Sequence, residues 1–118
     1  MRSRIVLVSA LLVAAALFVI DRARGKLAWL EEVIENLEHS AAASDTTVYI
    51  ARYSYKGETV YYVSPRCCDV PSELYDARGA LLCEPDGGFT GHGDGRCGEF
   101  LQLRQNEKVI WRGRARAV

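Results

Sequence analysis

Several patterns that would announce chemistry are missing from this chain of 118 residues. No Cys-x-x-Cys occurs, which removes both the chelating spacing of a structural zinc and the dithiol of a redox enzyme. The glycine-rich segment near the end carries no lysine and opens no helix, so it is not a P-loop. The Asp-x-Asp-x-Asp-Gly spacing of a calcium loop is absent, and no Glu stands at the bidentate distance. His39 and His92 are the only histidines, and neither sits in a pattern suggesting a nucleophilic triad. Net charge is zero but uneven, an acidic body being neutralised by a basic tail over residues 101–118, and the exported location read below argues against a nucleic-acid partner for that tail.

Charge is also missing locally. Residues 5–20, "IVLVSALLVAAALFVI", hold no ionisable group and follow Arg2 and Arg4, the layout of an export signal or signal anchor. A helix of that length spans only about 24 Å against a hydrocarbon core of roughly 30 Å, so it is a short anchor. Ala14 and Ala16 satisfy the small-residue rule for cleavage, yet a cut there would leave "LFVI" at the new terminus, so retention is favoured. The sequence thus predicts an N-terminal segment, residues 1–25, in the cell membrane as a single-pass anchor. Residues 26–118 lie on the exported side. Arg22, Arg24 and Lys26 balance the arginines before the run, so charge does not fix orientation. Cysteine does: Cys67, Cys68, Cys83 and Cys97 lie close together in a small domain behind an export-type segment, the usual setting for disulfides. Bonding adjacent cysteines is strained, which leaves Cys67–Cys83 with Cys68–Cys97, or Cys67–Cys97 with Cys68–Cys83.

Beyond the anchor the periodicity is legible. In "KLAWLEEVIENLEHS", Leu27, Leu30, Ile34 and Leu37 recur at three- and four-residue spacing, widened by Trp29 and Val33, with the glutamates mostly opposite. This predicts an amphipathic helix, which with a small-residue linker makes a second segment, 26–47. It would pack on the domain's own sheet, while a homodimer or envelope-protein contact through residues 27–37 is the other use of the stripe. Residues 48–63 alternate as a strand pair, with Tyr49, Ala51, Tyr53 and Tyr55 on one side and Lys56-Gly57 at the hairpin turn. The tyrosines read as half-buried cross-strand pairs. Pro65 and Pro71 bracket the vicinal cysteines, "LYD" and "ALLCE" read as short strands around Gly79, and Phe100–Trp111 reads as a second hairpin turning at Gln105-Asn106-Glu107. The fold class is α+β: an anchor helix, one amphipathic helix and a small antiparallel sheet stapled by two disulfides, the β-rich domain being 48–118.

The string from Tyr53 to Phe100, with Tyr-x-Tyr-x-Gly, Val-Tyr-Tyr, Cys-Cys-Asp, Leu-Tyr-Asp and Pro-Asp-Gly-Gly-x-Thr-Gly-x-Gly-Asp-Gly-x-Cys, resembles a family of small exported bacterial domains of unknown function. The resemblance covers residues 53–100 and implies a bacterial envelope protein with no assigned activity. It places the segment after Phe100 beyond the family's pattern.

The candidate site is the loop "PDGGFTGHGDGRC". Asp69, Asp86, Gly87, Gly88, Thr90, Gly91, Gly93, Asp94 and Gly95 form the candidate binding loop, with Asp86 and Asp94 as metal candidates for calcium and no other cofactor expected. Successive glycine amides could cradle an anion, but the two aspartates would repel it. The plainer expectation is that the aspartates cap turns and Cys97 pins the loop to the sheet. The sequence therefore predicts a non-catalytic binding or structural module, not an enzyme. The alternatives are a calcium-binding or weakly hydrolytic site at Asp86–Asp94 and a small protease-inhibitor-like module with the loop as bait.

Overall fold

The computed structural model describes residues 2–40, 47–66 and 69–114; the side chains of 2–4, 21–27, 40 and 114 lie outside the description. Helix α1 (Arg2–Ser40) runs unbroken through both the uncharged segment and the amphipathic one. Strands β1 (Thr47–Tyr55), β2 (Glu58–Val63), β3 (Glu73–Asp76), β4 (Leu81–Cys83) and β5 (Gln105–Arg114) form one antiparallel sheet in the order β4-β3-β2-β1-β5. A single helical turn, α2 (Phe100–Leu103), precedes β5.

The β1–β2 hairpin forms where the sequence places it. Tyr55 pairs with Glu58, and Lys56 and Gly57 both take positive φ, the requirement of a two-residue turn whose twist matches the strands. The period of two then sorts every strand onto two faces. Val48, Ile50 and Val63 bury one face with Leu37, and Leu30, Val33 and Ile34 of α1 pack beside them. The stripe read from the sequence therefore lies on the chain's own sheet. Trp29 closes the end of this contact, its ring 5.3 Å from Tyr61 and 5.5 Å from Tyr75. Gly79, at φ +89°, lets the β3–β4 turn come that close: a Cβ there would stand 2.5 Å from Trp29 Cγ.

The opposite face holds Ala51, Tyr53, Val60, Tyr62, Leu74 and Cys83. Among the described residues no helix of useful length covers it. Phe100 does, fully buried and edge-on to Tyr53 (5.5 Å) and Tyr55 (5.3 Å) while stacked on Tyr62 (5.6 Å).

Two expectations are corrected. Phe100–Trp111 is not a hairpin: 100–103 is a helical turn and β5 pairs with β1, on the far side of the sheet from β4. The polar run that suggested a turn is strand, and the positive φ of Asn106 (56°) marks an irregularity in it. A second shift falls at Ile110, where Trp111 pairs with Ile50 and Val109 with Ala51, so Ile110 and Trp111 both reach the α1 face. Next, Cys83 bonds Cys97, 6.1 Å apart at Cα, which overturns both pairings derived by exclusion; Cys67 and Cys68 lie outside the described residues. As to the anchor expected at residues 1–25, among the described residues no helix is long and apolar enough to cross a membrane. The uncharged run of α1 ends at Ile20, and its large apolar side chains are 49–71% exposed.

Truncating the one aromatic that covers the second face should be severe. Phe100→Ala is expected to lower stability by about 3–5 kcal/mol in a urea melt, since its pocket is rimmed by strand residues that cannot collapse inward. A loss under about 1 kcal/mol would mean that the second face is closed by something else.

Candidate functional site

The glycine loop leaves β4 and folds back across the edge of β3. Cys83 to Cys97 closes it with a separation of 14 residues, which restricts the unfolded chain by about 3 kcal/mol. Inside the loop the backbone bonds to itself. Gly87 N–H donates to the Gly91 carbonyl (3.1 Å), Gly93 N–H to that of Gly87 (3.1 Å), and Gly91 N–H to that of Gly88 (3.3 Å). Gly93 must be glycine, because a Cβ would run into the Glu84 carbonyl oxygen. Donors engaged this way are not available to cradle an anion.

Asp86 is tied inward. Its Oδ1 accepts from Tyr62 OH (2.9 Å) and from Ser72 Oγ, while Ser72 N–H donates to the Asp86 carbonyl (2.9 Å) and Asp86 N–H to Ser72 Oγ (3.0 Å). Ser72 is fully buried, so this carboxylate is the acceptor that lets a serine and a tyrosine hydroxyl sit in the core. Burial, and then the bond to Asp86, push the Tyr62 phenol above its ordinary range.

Asp94 clamps the other end. Its Oδ1 accepts Arg96 N–H (3.0 Å), and its Oδ2 accepts Arg96 Nε–H (2.8 Å) and Glu84 N–H (3.1 Å). The backbone and side-chain bonds from Arg96 hold this carboxyl below the ordinary aspartate range. A carboxylate so stabilised is a poor general base.

The remaining candidates do not converge on these two. Thr90 Oγ1 accepts His92 N–H (3.2 Å) in a local turn. Asp69 is exposed in the turn between Arg66 and Val70, its carbonyl near Gly88. Gly95 is exposed at φ +77°. Among the described residues no three His, Cys, Asp or Glu side chains are grouped to hold a metal ion. An open depression of about 450 Å³ lined by Glu58, Thr59, Asp76, Ala77 and Arg78 shares no residue with the loop. Its Asp76 Oδ1 accepts the N–H groups of Arg78 and Ala80.

Two residues that matter were not singled out from the sequence. Ser72 follows Pro71 in a segment read only as irregular, and nothing local signals a buried hydroxyl there. Phe89 had a signal: it is the one large apolar residue among the loop's glycines, and it stands 92% exposed at the loop's outer tip.

Because the folded loop favours ionised Asp94, its contribution to stability is present above about pH 4 and is lost as pH falls through the lowered value. Asp94→Asn should therefore be less stable than the parent at neutral pH, with the gap closing in acid; a gap that persists in strong acid would mean that the carboxylate is not the clamp. Calcium and chelator should leave both melts unmoved, and a calcium-dependent rise in Tm in the parent alone would assign Asp94 to a metal.

No curated protein and no solved structure matches this chain. A family model matches residues 35–113, extending beyond 53–100 on both sides to take in the end of α1, all of β1 and nearly all of β5. That span joins the glycine loop to the complete sheet it covers, and by it the chain belongs to the family described as a domain of unknown function, DUF6970.

Proposed function

We propose that this protein is a non-catalytic binding or structural module held at a membrane by the first half of α1, with its stapled loop turned to a partner on the exported side. The observation that carries the reading is the division of labour in the loop. Its aspartates hold hydrogen bonds that the fold needs, and Phe89 is the one large apolar side chain it presents to solvent, beside exposed Thr90 and His92. A rigid loop with an aromatic at its tip loses little entropy on docking, which suits recognition better than reaction.

Membrane attachment is supported by residues 5–20, uncharged and exposed on every side of the helix. A helix apolar all round is at home in lipid or in a core, and no core surrounds this one. Being short, it would be accommodated by bilayer thinning and by its flanking arginines reaching to the headgroups. The Cys83–Cys97 bond favours an oxidising compartment for the body.

A photo-crosslinking residue at position 89 of the full-length chain, in its host membrane, should give a discrete adduct, and the same residue at position 58 on the β1–β2 tip should give none. Equal labelling at both positions, or none at either, would sink the reading. Leu12→Asp should move the chain from the membrane to the soluble fraction; unchanged partition would remove the attachment.

A further inference from the structure

The two ends of the sheet are unlike. β4 is three residues long and runs into the stapled loop, so it presents little backbone to a neighbour. β5 is ten residues, roughly 33 Å, and pairs only with β1; among the described residues no strand lies on its outer side. An open edge of that length is a template for another strand and is usually guarded.

The guard here is cationic. Lys108 stands directly opposite Arg52 on the α1 face of the sheet, and Arg112 stands opposite Tyr49 on the other face, its guanidinium 5.9 Å from that ring. Among the described residues neither Lys108, Arg112 nor Arg52 joins an ion pair, and all three are exposed. Like charges directly opposed on a strand pair disfavour it, so an anion near Arg52 and Lys108 would relieve the fold itself.

We infer that the outer edge of β5 is a docking site for an extended, acidic segment of another protein, which adds to the sheet as a sixth strand with carboxylates on both of its faces. Main-chain bonds to β5 would supply affinity, and Lys108 with Arg52 on one face and Arg112 on the other would select acid side chains. The irregularity at Ile110 lies between Lys108 and Arg112, so a strand that meets both follows the bend of β5 there. The inference concerns a surface separate from the loop tip and does not rest on the reading proposed above.

Display selection of random strand-length peptides on the full-length chain in detergent micelles tests it. Acid-rich, β-prone sequences should be enriched, backbone N-methylation of the enriched peptides should abolish binding, and the pair Lys108→Glu with Arg112→Glu should weaken them about tenfold. If that pair fails to fold, Lys108→Gln with Arg112→Gln serves in its place. No enrichment, or enriched peptides indifferent to the charge change, would overturn the inference. So would anionic vesicles that bind through Lys108 and Arg112 where no peptide does, an outcome assigning these cations to lipid.

Discussion

A sheet has two faces, and this chain has one long helix to cover them. The apolar stripe of α1 takes one face, and all else in the body follows from the need to close the other. A second helix would have been the ordinary solution. Instead, Cys83 leads directly into a glycine loop that folds back over the sheet edge, is bonded to it at Cys97, and delivers Phe100 onto Tyr53 and Tyr62. The crossing to β5 becomes feasible only from there, because α2 ends on the side of the sheet where β1 awaits a partner.

That solution explains where the acids of the body are found. Three tyrosines carry hydroxyls toward the interior, and each meets a carboxylate: Tyr53 with Glu107 (2.5 Å), Tyr62 with Asp86 (2.9 Å), Tyr75 with Glu73 (2.6 Å). Burial is the first cause raising all three phenols, and the carboxylate bond the second. The first two pairs fasten β5 and the glycine loop to the sheet, and the third lies within β3. Arg104 adds to the first, donating to Tyr53 OH (3.2 Å) with its guanidinium over the same ring (5.1 Å). Carboxylates so engaged hold architecture.

The legible part of this fold was the part encoded over short distances. The stripe of Leu30, Ile34 and Leu37, the alternation from Val48 to Tyr55 and the turn at Lys56-Gly57 are each written within a few residues. The features hidden from the sequence depend on partners far along the chain. Gln105-Asn106-Glu107 has turn composition, yet Asn106 adopts positive φ inside a strand, and only the open place beside β1 decides that. The disulfide was misread because strain in an adjacent bond was weighed without knowing that the loop returns Cys97 to the end of β4. In the loop, the expectation of turn-capping aspartates describes Asp94 well but misses Asp86, whose partners Tyr62 and Ser72 are 24 and 14 residues away.

The continuity of α1 makes it a shaft. Helical backbone carries through residues 21–28 without a break, so the half before them and the sheet after them share one axis and one rotational phase. Adding a single residue between Asp21 and Ala28 would turn the body about 100° around that axis while advancing it only about 1.5 Å. The chain's length there sets a compass bearing: it determines which side of the molecule, Phe89 or β5, looks toward a neighbour fixed beside the same shaft.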